Sequence, residues 1–217
     1  MIETIPAATL ILFRETSSGP PELLITQRAA GMAFAGGALV FPGGRIDPED
    51  HVTAAQHRNL DEIEAAARIA ALRETVEEVG FDFGLDISDL TPFARWMPKH
   101  RQARNFDTRF YIAAVAPDAP DPQVDGGETV RAFWASAIDV LAMCDRGEAE
   151  IIFPTRRNLE RLAQFASFDD AVAHAIAHPV VTITPFAEER ADGRWLCIPE
   201  GLGYPVTAEK WSNVMRG

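Results

Sequence analysis

The chain has 217 residues, 47% hydrophobic and 24% charged, with a formal net charge of -12. That length and balance suit one globular domain of ordinary size, whose core needs no staples. The acidic balance excludes a duplex nucleic-acid binder, which needs basic surface against phosphate. It leaves room for a small phosphate-bearing substrate whose charge a metal ion offsets.

Residues 7–13 read as a buried strand, and Ser17-Ser18-Gly19-Pro20-Pro21 as a turn into a second strand, 22–28, giving a hairpin. A small-residue loop over 29–37 precedes a short strand at 38–41, which Pro42-Gly43-Gly44 ends sharply. Residues 47–60 are polar and irregular, with a helical turn near 54–56. The spacing predicts a helix over 61–79, with Ile69, Leu72, Val76 and Val79 on one stripe and Gly80 as its C′ cap. Glu74, Glu77 and Glu78 fall on nearly the opposite side, with Ala66, Ala67 and Ala70 beneath them. Strands follow near 91–96, 109–116 and 129–135, with a Pro/Gly/Asp loop over 117–127. Ser136 is the N-cap of a helix reaching about Cys144. Helices over 155–165 and 168–177 and a final hairpin, 180–186 with 194–198 through Asp192-Gly193, complete the chain. This order argues α/β or α+β with a mixed sheet. Cys144 and Cys197 lack zinc spacing and read as free thiols of a reducing, cytoplasmic protein. Neither a signal peptide, a membrane span nor a lipidation or peroxisomal address at 214–217 is expected.

The chemistry concentrates on 71–81. Glu74, Glu77 and Glu78 stand at i, i+3 and i+4, where like charges oppose a helix unless a cation binds among them. Phe41-Pro42-Gly43-Gly44 can bring bare backbone close to whatever they hold. Such oxygen ligands suit Mg²⁺ or Mn²⁺, which polarise a phosphoryl oxygen and acidify bound water. A neighbouring Glu can then act as general base. Arg73, four residues before Glu77, can orient it by an ion pair. The pattern points to hydrolysis at a phosphoanhydride. Taken alone, Arg28 and Glu128 read as surface residues, Asp47 and Asp50 as loop and turn residues, His100 as exposed, and the tryptophans as packing.

Gly44 followed by Arg73-Glu74-Thr75-Val76-Glu77-Glu78-Val79-Gly80-Phe81 resembles the Nudix box of the Nudix hydrolases. That box runs Gly, five residues, Glu, seven residues, Arg-Glu, an aliphatic, any residue, Glu-Glu, any residue, Gly, an aliphatic. Thr75 stands in an aliphatic place, and about fifteen extra residues separate Gly44 from Arg73. Counted back from Arg73, the first Glu of the box falls on Ala65, with Glu64 and Glu62 as neighbouring substitutes. Leu23-Leu24-Ile25-Thr26-Gln27-Arg28-Ala29, Gly37 and Phe41-Pro42-Gly43-Gly44 resemble the coenzyme A diphosphatase signature of this family, with Ala33 replacing an Arg. Residues 104–110 and 153–155 are similar to the peroxisomal acyl-coenzyme A diphosphatase branch and its bacterial relatives.

The resemblance implies a Nudix fold, a mixed sheet between helices, over 1–165 with an insert at about 48–62 and a C-terminal extension, 166–217, packed on the same domain. It implies metal ligation by Glu74, Glu77, Glu78 and the Gly44 carbonyl, with Glu128 as a distant ligand. It implies Glu74 as a candidate catalytic base, and Arg73 as a catalytic residue that would orient Glu77. Arg28, Phe41 and Gly43 are expected to bind substrate. The implied cofactor is Mg²⁺ or Mn²⁺. The implied partner is a small nucleotide substrate, coenzyme A or an acyl-coenzyme A, with ADP-ribose or a dinucleotide as alternatives. A catalytically silent nucleotide sensor is the reading from another class. Homodimers are common in the family; nucleic acid and membrane are not expected partners.

Overall fold

In the computed structural model, residues 4–32, 34–98, 105–124 and 126–214 are described. Ala33, the basic stretch 99–101 with His100, Arg104 and residues 215–217 lie outside them. The first strand, β1 (Thr4–Arg14), is apolar at every position from Ala7 to Phe13 except Thr9, as befits a strand buried on both faces. Its alternation feeds two cores. Ile11 and Phe13 enter one, and Ala8, Leu10 and Leu12 the other.

One edge of β1 is shared by two strands. β2 (Glu22–Arg28) pairs with it at Phe13 and Arg14, and then runs on to pair with β3 (Leu39–Val40). β4 (Gly43–Arg45) pairs with it at Ala7, Ala8 and Thr9. The Leu10 N–H bonds the Pro42 carbonyl where the two meet. The sheet therefore splits at the glycine turn, and this split positions the site.

Residues 47–60 are more regular than their polarity suggests. α1 (Pro48–Ala54) starts with Pro48, whose missing N–H costs nothing in a first turn. The Asp47 N–H donates to the Asp50 carboxylate at 2.8 Å, half of a capping box. α2 (Glu62–Val79) has Asp61 as N-cap, accepting from Ile63 and Glu64, and ends at Gly80 in the left-handed conformation, φ 68°. Its buried side is only partly the expected one. Val79 is fully buried, as are Ala67, Ala70 and Ala71, whereas Val76 is 36% exposed. The aliphatic stripe partly covers α1 through Ile69 and Leu72, and the alanine side lies on the sheet. Alanine lets the helix axis come close enough for the carboxylates beside it to reach β4.

β5 (Thr91–Trp96) and β6 (Asn105–Val115) pair antiparallel, and β6 runs parallel to β1 along its whole length. β7 (Thr129–Ser136) pairs with β2, and Ser136 then caps α3 (Ala137–Asp145) through the Asp139 N–H. α4 (Phe153–Leu162) begins two residues earlier than expected, because Pro154 is harmless in a first turn. α5 (Phe168–Ala177) has Ser167 as its cap. These three helices cover the face of the sheet opposite α2.

The expected final hairpin is corrected. β8 (Thr182–Ile183) joins the main sheet parallel to β5. The hairpin consists of β9 (Phe186–Arg190) and β10 (Gly193–Cys197), with β11 (Ala208–Lys210) completing a separate three-stranded sheet. Pro185 explains the shift, since proline lacks the N–H to continue a ladder. The main sheet reads β3-β2-β1-β6-β5-β8, with β4 on β1 and β7 on β2. The mixed α+β architecture expected from the element order is the observed one. Cys144 and Cys197 are free, as expected. Among the described residues no helix is long and apolar enough to cross a membrane.

Candidate active site

The site forms where α2 passes over β4. A Cβ on Gly43 would collide with the Ala8 carbonyl and Thr9 of β1. A Cβ on Gly44 would occupy the place of the Glu74 carboxylate. Strand and helix thus meet with carboxylate against bare backbone, which only glycine permits. Gly44→Ala should leave the fold intact, because Glu74 can swing away, yet lower turnover by about 100-fold by misplacing that carboxylate. Kinetics beside a thermal melt will check it. Wild-type turnover would show that the close approach is irrelevant.

Glu74 and Glu78, one turn apart, face this strand. The Glu74 side chain is 18% exposed. Burial pushes its pKa up, and Arg73 opposes the rise. Burial pushes Glu78 further, to about 7; Arg28 is the main opposing charge, and the Gly43 N–H also favours its ionised form. Thr26 Oγ1 lies 3.5 Å from Glu78 Oε2. A pair of half-buried carboxylates with raised proton affinity is short of positive charge. The donor set is hard oxygen, so the residues present fit a divalent cation.

Glu77 does not join them. Its side chain is 58% exposed and is drawn to Arg73, 3.2 Å away. Among the described residues no three acidic, imidazole or thiol side chains form a ready-made cage. The expected trio is thus a pair with an outlying third member. A cation that keeps several waters needs no more than one or two carboxylates and a carbonyl.

Arg73 is the hub. It donates through Nη1 to Glu74 (3.0 Å) and Glu77 (3.2 Å), and through Nη2 to the Arg45 carbonyl (3.0 Å). Nε and Nη2 grip Asp50 at 3.0 and 2.9 Å. Asp50 is 2% exposed, so the turn-residue reading of it is wrong. It follows Gly44 after five intervening residues, the spacing of the first box carboxylate counted forward instead of backward. The insert therefore lies after this position, between Asp50 and Arg73. Ala65, found by counting backward, is fully buried against α1. Glu64 pairs with Arg68 and Glu62 approaches His51, so neither substitutes. The forward count, with the Asp47-Pro48 helix start, is the signal that could have found Asp50.

The remaining expected residues divide. Arg28 is half-buried, donates through Nε to the Phe34 carbonyl at 3.2 Å, and lies close enough to Glu78 to favour its charge. Glu128 is exposed at the start of β7; its carbonyl accepts from the Ala29 N–H at 2.8 Å, and its charge is felt at Glu78. Phe41 is a correction. It is 3% exposed and belongs to the core beneath the sheet, so its ring is closed to a substrate. An aromatic ring one residue before a proline turn packs inward because the turn takes the backbone, not the ring, to the surface.

The NUDIX domain family matches residues 3–154 of the chain. A probable nudix hydrolase of Schizosaccharomyces pombe is 37% identical over 75 residues, which are 35% of this chain and 21% of that protein's length. The chain thus spans about a fifth of that relative. Among solved structures, a NUDIX hydrolase from Alicyclobacillus acidocaldarius superposes with a TM-score of 0.70 at 26% identity, covering 80% of this chain and 97% of that one. The NUDIX domain of Shewanella oneidensis NrtR, solved with ADP ribose, shares the fold with a TM-score of 0.51 at 16% identity, covering 74% and 86%.

Proposed function

The chain belongs to the NUDIX domain family, and from that premise we propose that it is a pyrophosphohydrolase that cleaves a diphosphate linkage in a nucleoside diphosphate derivative. The observation that carries this reading is the placement of two half-buried carboxylates, Glu74 and Glu78, against the backbone of the glycine turn at Gly43 and Gly44, with Arg73 held behind them.

Glu74, Glu78 and the Gly44 carbonyl would hold Mg²⁺ or Mn²⁺, with Glu77 and Glu128 as the further ligands. The cation supplies charge for the phosphoryl oxygens and acidifies water. Glu74 would accept the proton of the attacking water as general base. Arg73 holds the Glu74 carboxylate in line, and Asp50 holds Arg73. Arg28 presents the remaining edge of its guanidinium beside Glu78, where a substrate phosphate would lie. The expected substrate role of Gly43 is corrected: the side where its Cβ would stand is closed by Ala8 and Thr9 of β1, and its N–H faces Glu78, so its bare backbone serves the strand contact.

For the substrate, the residues at 23–29 and 41–44 favour coenzyme A or an acyl-coenzyme A, giving an adenosine bisphosphate and a phosphopantetheine product. A panel of coenzyme A, acetyl-coenzyme A, ADP-ribose and a diadenosine polyphosphate, each with Mg²⁺ and with Mn²⁺, tests it. Coenzyme A should be the best substrate. ADP-ribose or the dinucleotide leading would replace the substrate and keep the reaction. Tight nucleotide binding without turnover of any of them would replace the enzyme by a sensor. Glu77→Gln should lower metal-dependent turnover by at least about 100-fold with the fold intact; near wild-type rates would remove Glu77 from the ligand set.

A further inference from the structure

Besides the pairing of β8 with β5, the C-terminal extension is fastened by a side-chain joint that the proposed reaction does not use. Arg161 of α4 is 2% exposed. Its Nη1 donates to the Phe93 carbonyl of β5 at 2.9 Å, and its guanidinium lies over the Phe93 and Tyr204 rings at 4.0 and 5.2 Å. Its Nε and Nη2 meet Nδ1 of His174, on α5, at 3.4 and 3.2 Å. Guanidinium has only donors, so Nδ1 must be the acceptor and His174 must be neutral. The His174 ring stacks on His178 at 4.1 Å and tilts against Phe165 at 4.9 Å. The backbone of loop 201–204 covers both imidazoles so closely that a Cβ on Gly203 would strike them. Tyr204, next in that loop, bonds Asn158 of α4 at 2.8 Å and receives the Trp96 indole N–H of β5 at 3.2 Å.

We infer that His174 is an acid-released latch, which holds α5 and loop 201–204 against α4 and β5 while neutral and lets them go on protonation. A proton on Nδ1 removes the acceptor that Arg161 uses and places a second cation against its guanidinium. His178 stacks on the other face of the ring at 4.1 Å. From β5 the Phe93 ring and carbonyl and the Trp96 indole face the joint, and the loop contributes the Tyr204 phenol. The nearest acid on α5 itself, Asp170, is one turn earlier and exposed. Burial, Arg161 and His178 all oppose protonation of His174.

The direction of the linkage agrees. Burial, then Arg161, then His178 hold the His174 pKa at about 4, against an ordinary 6.5. The released state therefore takes up the proton first as pH falls below 6.5, and the closed joint loses stability down to about pH 4.

Hydrogen exchange of the whole chain by mass spectrometry, between pH 7 and pH 4.5 and corrected for intrinsic rates, reads the release. Protection of α5 and loop 201–204 should fall by roughly tenfold or more while β1 and β6 stay protected. His174→Asn keeps an acceptor for Arg161 but cannot titrate, and should abolish that selective loss. Should that variant fail to fold, NMR titration of the wild-type His174 ring decides, with a midpoint below pH 5 expected. A midpoint above pH 6, an extension that loosens only together with β1 and β6, or an unchanged pH response in His174→Asn would overturn the latch.

Discussion

Asp50→Ala should lower kcat by about 100-fold with little change in KM, and destabilise the protein by about 3 kcal/mol. Removing one partner of a buried ion pair typically costs about 3–5 kcal/mol, because the other charge stays behind without compensation. The lower end applies because the Arg73 side chain keeps 28% exposure while Asp50 keeps 2%. Asp50 supplies the bidentate grip, and its hydrogen bonds are the largest influence holding Arg73 charged. Without it, the guanidinium is free to settle on Glu74 and Glu77, competing with a cation for both carboxylates. Mn²⁺ affinity, measured by calorimetry, should therefore fall along with kcat. A merely structural role would lower the melting temperature and leave Mn²⁺ affinity and kcat of the folded fraction unchanged. Asp50→Ala combined with Arg73→Ala should cost clearly less than the sum of the two, since both remove the Asp50–Arg73 pair. Additive losses would show that the two residues act separately.

The same residue shows how far the sequence could be read. Period and capping placed α2 to within one residue, because Asp61 and Gly80 mark its ends by side-chain and backbone chemistry that is local. Strands 22–28 and 91–96 were equally legible, each being an apolar run between turn residues. The glycine turn beside the acidic helix was legible as a constellation for the same reason. What failed was what depends on packing between segments. The aliphatic stripe of α2 looks like its buried side, but alanine wins where strand and helix must approach closely. Phe41 looks like a substrate contact by its place in a motif, and burial decides otherwise. Asp50 reaches Arg73 across 23 positions of chain, a contact that no periodicity announces. Counting forward from Gly44 anchors the box at its near end, and the insert then falls after Asp50 instead of before it.

Glu78→Gln should move stability and activity in opposite directions. In the metal-free protein, burial raises the Glu78 pKa from 4.5 to about 7. Below pH 4.5 the side chain is protonated in both folded and unfolded states and costs nothing. Between 4.5 and 7 the unfolded state gives up the proton while the folded state keeps it, so stability falls as pH rises. The whole loss is about 3 kcal/mol, complete above pH 7. Gln is neutral and nearly isosteric, and it can still accept from the Gly43 N–H and Thr26. The metal-free variant should thus match wild type near pH 4.5 and exceed it at pH 8. Adding Mg²⁺ or Mn²⁺ should raise the melting temperature of wild type at pH 8, as a cation that binds only the folded state must. The variant should gain far less and lose turnover by about 1,000-fold. Melts at the two pH values, with and without metal, separate the possibilities. A variant with the wild-type pH slope would show that Glu78 is not the strained group. One that keeps the full metal-induced rise would remove Glu78 from the ligands. If both halves hold, the folded protein pays with stability for a carboxylate whose charge only a cation completes, which is the physical signature expected of a ligand and not of a solvated helix face.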